Sequence, residues 1–468
     1  MTRAGDRPQG PAAAPLTSRR RLRRIAAHAA ILTLVAVVAF LLGVATAPRA
    51  FATTAAEDPF FFIKQLAQVL VLVENEYVDP VDRERLIQGA IQGMVSELDP
   101  HSSYLTPGEY NVFRGDTQGE FGGIGVEVDF QRDAVTIIAP IDGSPAARAG
   151  LRPGDEIVAV DKQSARDLSP AQLVRRMRGK PGSELTLSVR RRGRTTLMTF
   201  ALKREIIQVS SVESKSLDGN VVYLRVKQFQ AGTHTEVLQA IAQRRSEQKI
   251  DGLILDLRNN PGGLVDEAAQ VADEFLKSGI VYTTRHRDEV VDEVTSSNSG
   301  ALQDPPAVVL VNEYSASAAE LLAGALQDNG RATLVGARTF GKGSVQSIID
   351  LPGGAGLRLT TMRYYTPKGR SIQATGIAPD VVVEAGYKPD TSFGVTRESD
   401  LDNHLSGDGS TPRTETPAFK PPAQEEEEIG VSPTYLGVAR VVPKNPAGGP
   451  DFALSIGYQI ITGILKKQ

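Results

Sequence analysis

The feature that most constrains the fold is an alternation of strand-like and helix-like segments between Val221 and about Val383. Short apolar runs such as Ala307–Val311 are followed by longer runs with helical character, such as Ala318–Leu326. Alternation of this kind is typical of a layered α/β domain. We therefore expect an α/β fold for the largest part of the chain.

A second pattern lies before it, between about Gly119 and Lys203, where short β-like runs are separated by turn signals. One helix is predicted among them at Pro170–Met177, and the whole region predicts a small β-rich domain. The loop Gly122–Val126 places glycines on both sides of one apolar residue, just before a strand. Such a loop either is a plain turn or lets several backbone N–H groups converge on a carboxylate, beside a strand that can accept an extended peptide.

The N-terminus predicts membrane targeting. Residues 1–24 hold seven arginines and one acidic residue, a charge of +6, so the net charge of −3 leaves −9 for the rest of the chain. The near-apolar run 25–47 has the ~20 residues that span a bilayer, and basic residues on its N-terminal side place that side in the cytoplasm. The run is either an uncleaved anchor or a long cleaved signal peptide. Both readings put the body of the chain in an extracytoplasmic compartment.

The small net charge gives no support for a nucleic-acid partner.

Three further segments have their own character. Apolar stripes over residues 60–98 predict two helices, broken at Asp79-Pro80, that either pack on the body or form a dimerisation arm. Residues 388–430 are rich in Pro, Ser, Thr and acidic residues, which predicts a disordered linker. Beyond them, Phe452–Leu465 predicts one amphipathic helix.

Composition narrows the available chemistry. The chain has no cysteine, which excludes thiol nucleophiles, thiolate zinc sites and disulfide scaffolds. Five histidines remain: His28 lies in the apolar run and His404 in the linker, and His101, His234 and His286 lie in no motif typical of a general base. A Ser-His-Asp triad is therefore poorly supported.

Ser317 is the strongest nucleophile candidate. It lies between the strand Ala307–Val311 and a helix of small residues, where its Oγ would be exposed at a strand-to-helix turn. The neighbouring N–H of Ala318, at the positive end of that helix, could face an oxyanion. Ser317 with Glu320 also satisfies the capping-box pattern, so an N-cap role stays open.

Lys342 is the candidate base, because burial can lower the pKa of a lysine toward neutrality. Gly336–Lys342 copies part of a phosphate-binding loop, but Gly343 replaces the required Ser or Thr, and the next residues predict a strand instead of a helix. Gln346, four residues on, would contact Lys342 in a helical turn but would lie ~13 Å away in a straight strand. If Lys342 and Gln346 are in contact, we therefore expect a turn between them.

The segment Asp256–Gly263 ends a buried strand with a glycine-terminated loop. A backbone N–H at Gly262 or Gly263 could be a second oxyanion donor, and an ordinary strand-ending turn fits the sequence equally well.

Taken together, these motifs resemble a known family. Gly143–Ile157 resembles a PDZ domain, and the chain from about residue 60 to 386 resembles the C-terminal processing peptidases, or tail-specific proteases. The motifs that carry the second resemblance occur in family order: Leu98–Leu105, Asp256–Gly263, Ser315–Glu320, Gly341–Gln346, Tyr364–Ile372 and Gly376–Asp380.

The resemblance implies a ClpP/crotonase-like α/β protease core with an inserted β-rich PDZ domain, to which the apolar patterns add N-terminal helices and a transmembrane segment. We expect this order along the chain: a basic cytoplasmic segment (1–24), a transmembrane anchor or signal segment (25–47), a helical region (48–115), a PDZ domain (116–205), a Ser-Lys protease core (206–387), a disordered acidic linker (388–430) and a C-terminal segment (431–468).

The resemblance also implies residue roles. Ser317, in preference to Ser315, would be the nucleophile, Lys342 the general base and Gln346 the residue that orients the lysine. Ala318 and Gly263 would be the oxyanion donors. The groove at Gly123, Ile124, Gly125 and Val126 would bind C-terminal peptides. The alternative is a PDZ domain that serves only as a spacer or as a regulatory domain.

We therefore expect a serine endopeptidase that needs no metal or organic cofactor. It would cleave proteins with free C-termini and lie in the cytoplasmic membrane, with its catalytic body on the periplasmic side. Homo-oligomers are compatible with this reading. The alternative is a membrane-anchored PDZ adaptor with a non-catalytic core.

Overall fold

The structure is a computed structural model that describes residues 60–131, 134–383, 397–409, 442–449 and 451–464, together with His28, Thr33 and Phe419. The chain divides into two compact units, Met1–Leu86 and Ile87–Gln468. Across these described residues, no helix combines the length and apolar character that crossing a bilayer requires. The predicted anchor at 25–47 lies outside the described residues except for His28 and Thr33, so it stays a prediction.

The N-terminal elements follow the predicted apolar stripes. Two helices form and the chain breaks at Asp79-Pro80, as predicted. The first helix exposes its apolar side chains: Phe62 is 68% and Ile63 57% exposed. The packed-helix and dimerisation-arm readings both stay predictions. The elements are α1 (Phe61–Glu76), α2 (Arg83–Ser96), β1 (Ser103–Leu105) and α3 (Pro107–Gln118).

The next region is β-rich, as predicted. Its elements are β2 (Glu120–Gly123), β3 (Val126–Gln131), β4 (Ala134–Pro140), α4 (Pro145–Arg148), β5 (Glu156–Val160), β6 (Gln163–Ser164), α5 (Pro170–Met177), β7 (Glu184–Arg190), β8 (Met198–Lys203) and β9 (Glu205–Gln208). The sheet order is β3-β4-β5-β7-β8, with β6 on β5, so β3 is an edge strand. Along β7, alternate residues such as Leu185 and Leu187 are buried in the domain core. Pairing of β2 with β9 joins the two ends of the region, which makes it an insertion.

The remaining elements form the larger domain. They are β10 (Val212–Leu217), β11 (Val221–Val226), α6 (Thr233–Glu247), β12 (Gly252–Asp256), α7 (Val265–Phe275), β13 (Ile280–His286), β14 (Glu289–Thr295), β15 (Ala307–Val311), α8 (Ala318–Asp328), β16 (Ala332–Gly336), β17 (Ser344–Asp350), β18 (Gly356–Tyr365), β19 (Val381–Val382) and α9 (Phe452–Ile461).

A six-stranded sheet in the order β10-β11-β12-β15-β16-β19 forms the centre of this domain. Only the β10–β11 pair is antiparallel within this sheet. Every residue of β12 and β15 is buried, because both faces of the sheet are covered. Leu253 and Leu255 pack in the core beneath α6, α7 and α8, whereas Ile254 packs in the core beneath α9. The layered α/β prediction is confirmed.

A second sheet carries the loop that contains Lys342. Its strand order is β1-β18-β13-β14. The fifth strand, β17, lies outside this order and pairs with β18. Ser103 of β1 pairs with Arg358 of β18, so the segment that precedes β1 lies beside this sheet.

The C-terminal segments contact the core more closely than predicted. The expected helix forms and ends at Ile461, and its Leu454 is fully buried against the sheet. The prediction of a disordered linker over 388–430 is wrong for residues 397–409: Glu398 is fully buried, and the Leu405 carbonyl accepts a hydrogen bond from Gln373. Composition misses this because the partners of Glu398 lie far away in the sequence. Apart from Phe419, the rest of the linker lies outside the described residues.

Candidate active site

Ser317 lies at the turn between β15 and α8, at the N-cap position of the helix. Its backbone φ of 55° and ψ of −119° are disfavoured for a residue with a side chain, and strain of this kind is concentrated at functional sites. The residue is half-buried, and its hydroxyl makes no capping hydrogen bond. Ser315 is fully buried, and its hydroxyl donates to the Leu257 carbonyl at 2.8 Å. Of the two serines, Ser317 is the one placed to react.

The buried carboxylate of Glu320 links the Ser317 turn to the Lys342 loop. Glu320 Oε2 accepts from the Ser317 N–H and the Lys342 N–H, each at 2.8 Å. These two backbone nitrogens are therefore no farther apart than twice that distance. Oε1 accepts from the Gly341 N–H at 2.7 Å and the Thr339 hydroxyl at 2.5 Å. Burial raises the pKa of Glu320 to about 7, although these four donors favour its ionised form.

Lys342 has the electrostatics of a base that is partly neutral near neutral pH. Burial and the nearby Arg358 guanidinium lower its pKa to about 8, and the carboxylates of Glu398, Asp99 and Glu320 partly oppose this shift. No side chain in the described part of the chain forms a hydrogen bond with its Nζ. The residue is followed by strand β17, as predicted, and the helix that a phosphate-binding loop requires is not formed there.

Gln346 does not contact Lys342 through a turn. The conditional prediction of a turn is wrong, because Ser344–Asp350 is a strand with a β-bulge between Val345 and Gln346. The Gln346 amide donates to Ser344 Oγ at 2.9 Å and to Thr360 Oγ1 at 3.4 Å. Its expected role in orienting the lysine stays a prediction.

The loop after β12 passes directly against the Ser317 turn. A Cβ on Gly262 would come within 2.8 Å of Ser317 Cβ and 3.0 Å of the Ala318 nitrogen. The Gly262 N–H donates to Asn260 Oδ1 at 2.8 Å. Within the described residues, the N–H groups of Gly263 and Ala318 have no acceptor, and Gly263 is exposed. Of the two glycines, Gly263 is therefore the better candidate for an oxyanion donor, because the N–H of Gly262 is already bonded to Asn260.

A buried ionic cluster holds the start of this loop. The Arg258 guanidinium donates to Asp256 Oδ2 at 2.6 Å and to Asp451 Oδ1 at 2.7 Å, and all three side chains are almost fully buried. The Tyr223 hydroxyl also donates to Asp256 Oδ2 at 2.7 Å. Asp451 is the N-cap residue of α9, so the C-terminal helix is tied to the candidate oxyanion loop. Sequence reasoning missed this link, because nothing in the local sequence of Asp451 indicates its partner.

The three histidines that lay outside the apolar run and the linker each have other partners. His101 Nε2 and His234 Nε2 each lie 2.7 Å from a carboxylate oxygen, of Glu398 and Glu274, respectively. His286 Nδ1 lies 2.8 Å from the Thr361 carbonyl. None of the histidines in the described ranges forms a hydrogen bond with Ser317, so the geometry gives a histidine triad no support.

The glycine loop of the β-rich domain is held through its carbonyl groups by the segment that follows β4. The Ile124 carbonyl accepts from the Ala146 N–H, and the Gly125 carbonyl from the Ile141 N–H, each at 2.9 Å. Over the described part of the chain, the N–H groups of Ile124 and Gly125 have no acceptor. Gly125 has φ 74°, and a Cβ there would lie 2.3 Å from Ser144 Cβ, so this position requires glycine. Val126 begins the edge strand β3, next to this loop.

Family models match three parts of the chain. Peptidase family S41 matches residues 220–383, a PDZ domain matches residues 136–191, and the N-terminal domain of the activating protease CtpB matches residues 49–107.

Curated relatives match over most of their length. The chain is 39% identical over 414 residues to the carboxy-terminal-processing protease of Bartonella bacilliformis, a match that covers 86% of this chain and 89% of the relative. It is 41% identical over 322 residues to the carboxyl-terminal-processing protease of Synechocystis, which covers 67% and 75%, respectively. Among solved structures, a photosystem II D1 C-terminal processing protease matches at 30% identity with a TM-score of 0.44, over 74% of this chain and 92% of that one.

Proposed function

Since the chain belongs to peptidase family S41 and is a serine peptidase of the carboxy-terminal-processing type, we propose that it cleaves peptide bonds by a Ser-Lys mechanism. Ser317 is the nucleophile and Lys342 the general base of this mechanism. Gln346 supports the base through the polar network around Thr360.

The proton movements follow from the charge state of Lys342. As a neutral amine, Lys342 Nζ takes the proton of the Ser317 hydroxyl while Oγ attacks the scissile carbonyl carbon. When the tetrahedral intermediate collapses, the resulting ammonium returns this proton to the leaving amine. Water then attacks the acyl-enzyme and gives a proton to Lys342. As the bond between the acyl carbon and Ser317 Oγ breaks, Lys342 returns this proton to Oγ, which releases the carboxylic acid product and regenerates Ser317.

The oxyanion of each tetrahedral intermediate would be stabilised by two backbone donors. The N–H groups of Gly263 and Ala318 are candidates because neither has an acceptor within the described residues. Ala318 also lies at the first turn of α8, where the helix dipole favours negative charge. Removal of one such donor typically costs a factor of about 10²–10³ in kcat.

One observation carries the proposal: a single carboxylate oxygen of Glu320 binds the backbone N–H of both Ser317 and Lys342. This shared acceptor keeps the nucleophile and the base on neighbouring segments, although 25 residues separate them in the sequence. The strained backbone at Ser317 supports the same assignment.

Substrate choice would depend on the PDZ domain. We propose that the C-terminal carboxylate of a protein binds the N–H groups of the loop Gly123–Val126, and that the preceding residues add a strand to β3. The protease core would then cleave upstream of the bound end.

The mechanism is tested by digestion of an unfolded protein with the full-length chain and with Ser317→Ala and Lys342→Ala. Ser299→Ala and Lys277→Ala are matched controls, because both remove an exposed side chain of the same type. Both site variants are expected to lose activity while their thermal unfolding remains cooperative. Both control variants are expected to retain activity. Cleavage by either site variant at the wild-type rate would refute the Ser-Lys assignment. A wild-type chain that binds C-terminal peptides without cleaving any protein would favour the adaptor.

We also propose that residues 25–47 anchor the chain in the cytoplasmic membrane, with the catalytic body on the extracytoplasmic side. The charge of +6 on residues 1–24 supports this orientation. In cells expressing the chain, protease added to spheroplasts should digest the catalytic body, and the protein should stay in the membrane fraction after a high-salt wash. A body that resists protease until the cells are lysed would refute the orientation.

A further inference from the structure

A segment that the sequence assigns to a linker packs against the loop that carries Lys342. Residues 397–409 contain one 3-10 turn, Glu398–Asp400, and the Glu398 side chain is fully buried there. The Glu398 N–H donates to the Phe340 carbonyl at 3.3 Å. The contact therefore lies two residues before Lys342.

The same segment reaches the other side of Lys342 through one amide side chain. Glu398 Oε1 accepts from Gln373 Nε2 at 2.8 Å, and Gln373 Oε1 accepts from the Gly343 N–H at 3.0 Å. Gln373 is itself fully buried, and its Nε2 also donates to the Leu405 carbonyl at 3.0 Å. Glu398 is thus linked to residues on both sides of Lys342.

The second oxygen of Glu398 faces a histidine from the N-terminal side of the same unit. His101 Nε2 lies 2.7 Å from Glu398 Oε2, and the His101 side chain is 16% exposed. The His101 carbonyl accepts from Arg358 Nε at 2.8 Å, which connects this pair to the second sheet. A fully buried carboxylate is costly unless it is paired, and both oxygens of Glu398 have partners here.

Four charged groups on different elements act electrostatically on Lys342. Arg358 on β18 is positive, whereas Asp99 before β1, Glu320 on α8 and Glu398 are negative. Among the described residues, the side chains within hydrogen-bond distance of the Glu398 carboxylate are those of His101 and Gln373.

We propose that Glu398 is a positioning residue for the general base: its buried carboxylate, held by His101 and Gln373, fixes the loop Phe340–Gly343 and keeps a negative charge facing Lys342. The inference rests on the proposed function, in which Lys342 is the base. It assigns residues 397–409 to the catalytic unit instead of to a linker.

The substitution Glu398→Gln tests the charge. Glutamine can accept from Gln373 and donate to His101, so the geometry is retained while the charge is lost. Without that charge the ammonium form of Lys342 is less favoured. The acid limb of kcat/KM against pH should therefore move to lower pH, by on the order of half to one unit. Asp402→Asn, which removes an exposed charge from the same segment, should leave the limb in place.

The substitutions Glu398→Asp and Gln373→Met test the link to the loop. Each weakens the connection to Gly343 without removing the acidic charge, so each should lower the plateau of kcat/KM by about tenfold while the acid limb stays at the wild-type pH. They also keep the inference testable if Glu398→Gln does not fold. In His101→Gln the acid limb should persist, because the inference assigns that limb to Lys342.

The outcomes separate this inference from the proposed function. If Lys342→Ala remains active, the Ser-Lys mechanism itself fails. If Lys342→Ala is inactive, the inference is overturned by a Glu398→Gln profile that superimposes on that of the wild type. Wild-type plateaus in both link variants, or loss of the limb in His101→Gln, would also overturn it.

Discussion

The substitution Glu320→Gln gives the sharpest test of how the active site is held together. Each carboxylate oxygen of Glu320 accepts two hydrogen bonds, and the residue is fully buried. A glutamine keeps one oxygen, which we expect to face the N–H groups of Ser317 and Lys342. Its NH₂ group then faces Thr339 and Gly341. The Thr339 hydroxyl can reverse and accept, whereas the Gly341 N–H can only donate and loses its partner.

The expected loss in the free energy of unfolding follows from the number of donors that lose their acceptor. One buried donor without an acceptor costs about 1–3 kcal/mol in the free energy of unfolding. Glu320→Ala removes the acceptor of all four donors and should therefore cost at least twice as much as Glu320→Gln. Because the bridge joins nucleophile and base, we also expect kcat/KM to fall in both variants, and more in the alanine variant.

Urea denaturation of the full-length variants at pH 8, with kcat/KM for a peptide substrate, measures both effects. Asp273→Asn is the matched control, because this half-buried carboxylate accepts from the Ser297 N–H and the Ser296 hydroxyl, and none of its hydrogen bonds involves the Ser317 turn or the Lys342 loop. It should lower stability and leave kcat/KM unchanged. Equal losses of stability for Glu320→Gln and Glu320→Ala, or full activity in both, would refute the reasoning.

Three further predictions concern the base, the ionic cluster and the oxyanion loop. Because burial lowers the pKa of Lys342 to about 8 and the neutral amine is the active form, kcat/KM should fall tenfold per pH unit below that value and level off above it, as a pH–rate profile would show. Asp451→Ala removes one of the two carboxylates that pair with Arg258 within the described residues, and it should cost ~3–5 kcal/mol in urea denaturation; a loss below ~1 kcal/mol would contradict the buried-pair account. Gly263→Ala places a Cβ 2.0 Å from the Phe229 carbonyl oxygen at φ 131°, so activity should be lost with a lowered Tm, and a fully active variant would contradict the loop geometry.

The sequence predicted those parts of the fold that depend on local patterns. The strands Gly252–Asp256 and Ala307–Val311 are continuous apolar runs because both faces of their sheet are covered, and the position of Ser317 at a strand-to-helix turn follows from them. The helices Pro170–Met177 and Phe452–Ile461 were also predicted, since caps and periodicity are local features.

Long-range polar contacts escaped prediction. The bulge beside Gln346 depends on the pairing of β17 with β18, which the sequence of β17 alone does not encode. Glu398 lies in a polar, low-complexity stretch whose composition indicates disorder, yet its partners His101 and Gln373 come from distant segments. Asp451 is identified as part of the oxyanion-loop support only once Arg258 is seen beside it.

These missed contacts share one physical cause. The loops around Ser317, Lys342 and Gly263 are rich in glycine and small residues, so apolar side-chain packing cannot fix them. Buried carboxylates take that role instead: Glu320 holds the Ser317 turn and the Lys342 loop, Asp256 and Asp451 hold the loop before Gly263, and Glu398 holds the far side of the Lys342 loop. Each carboxylate has several donors, because a buried charge without them would destabilise the fold. The neutral variants Glu320→Gln and Glu398→Gln should therefore affect catalysis in different ways, the first by loosening the bridge between nucleophile and base, and the second by shifting the pH at which the base becomes active.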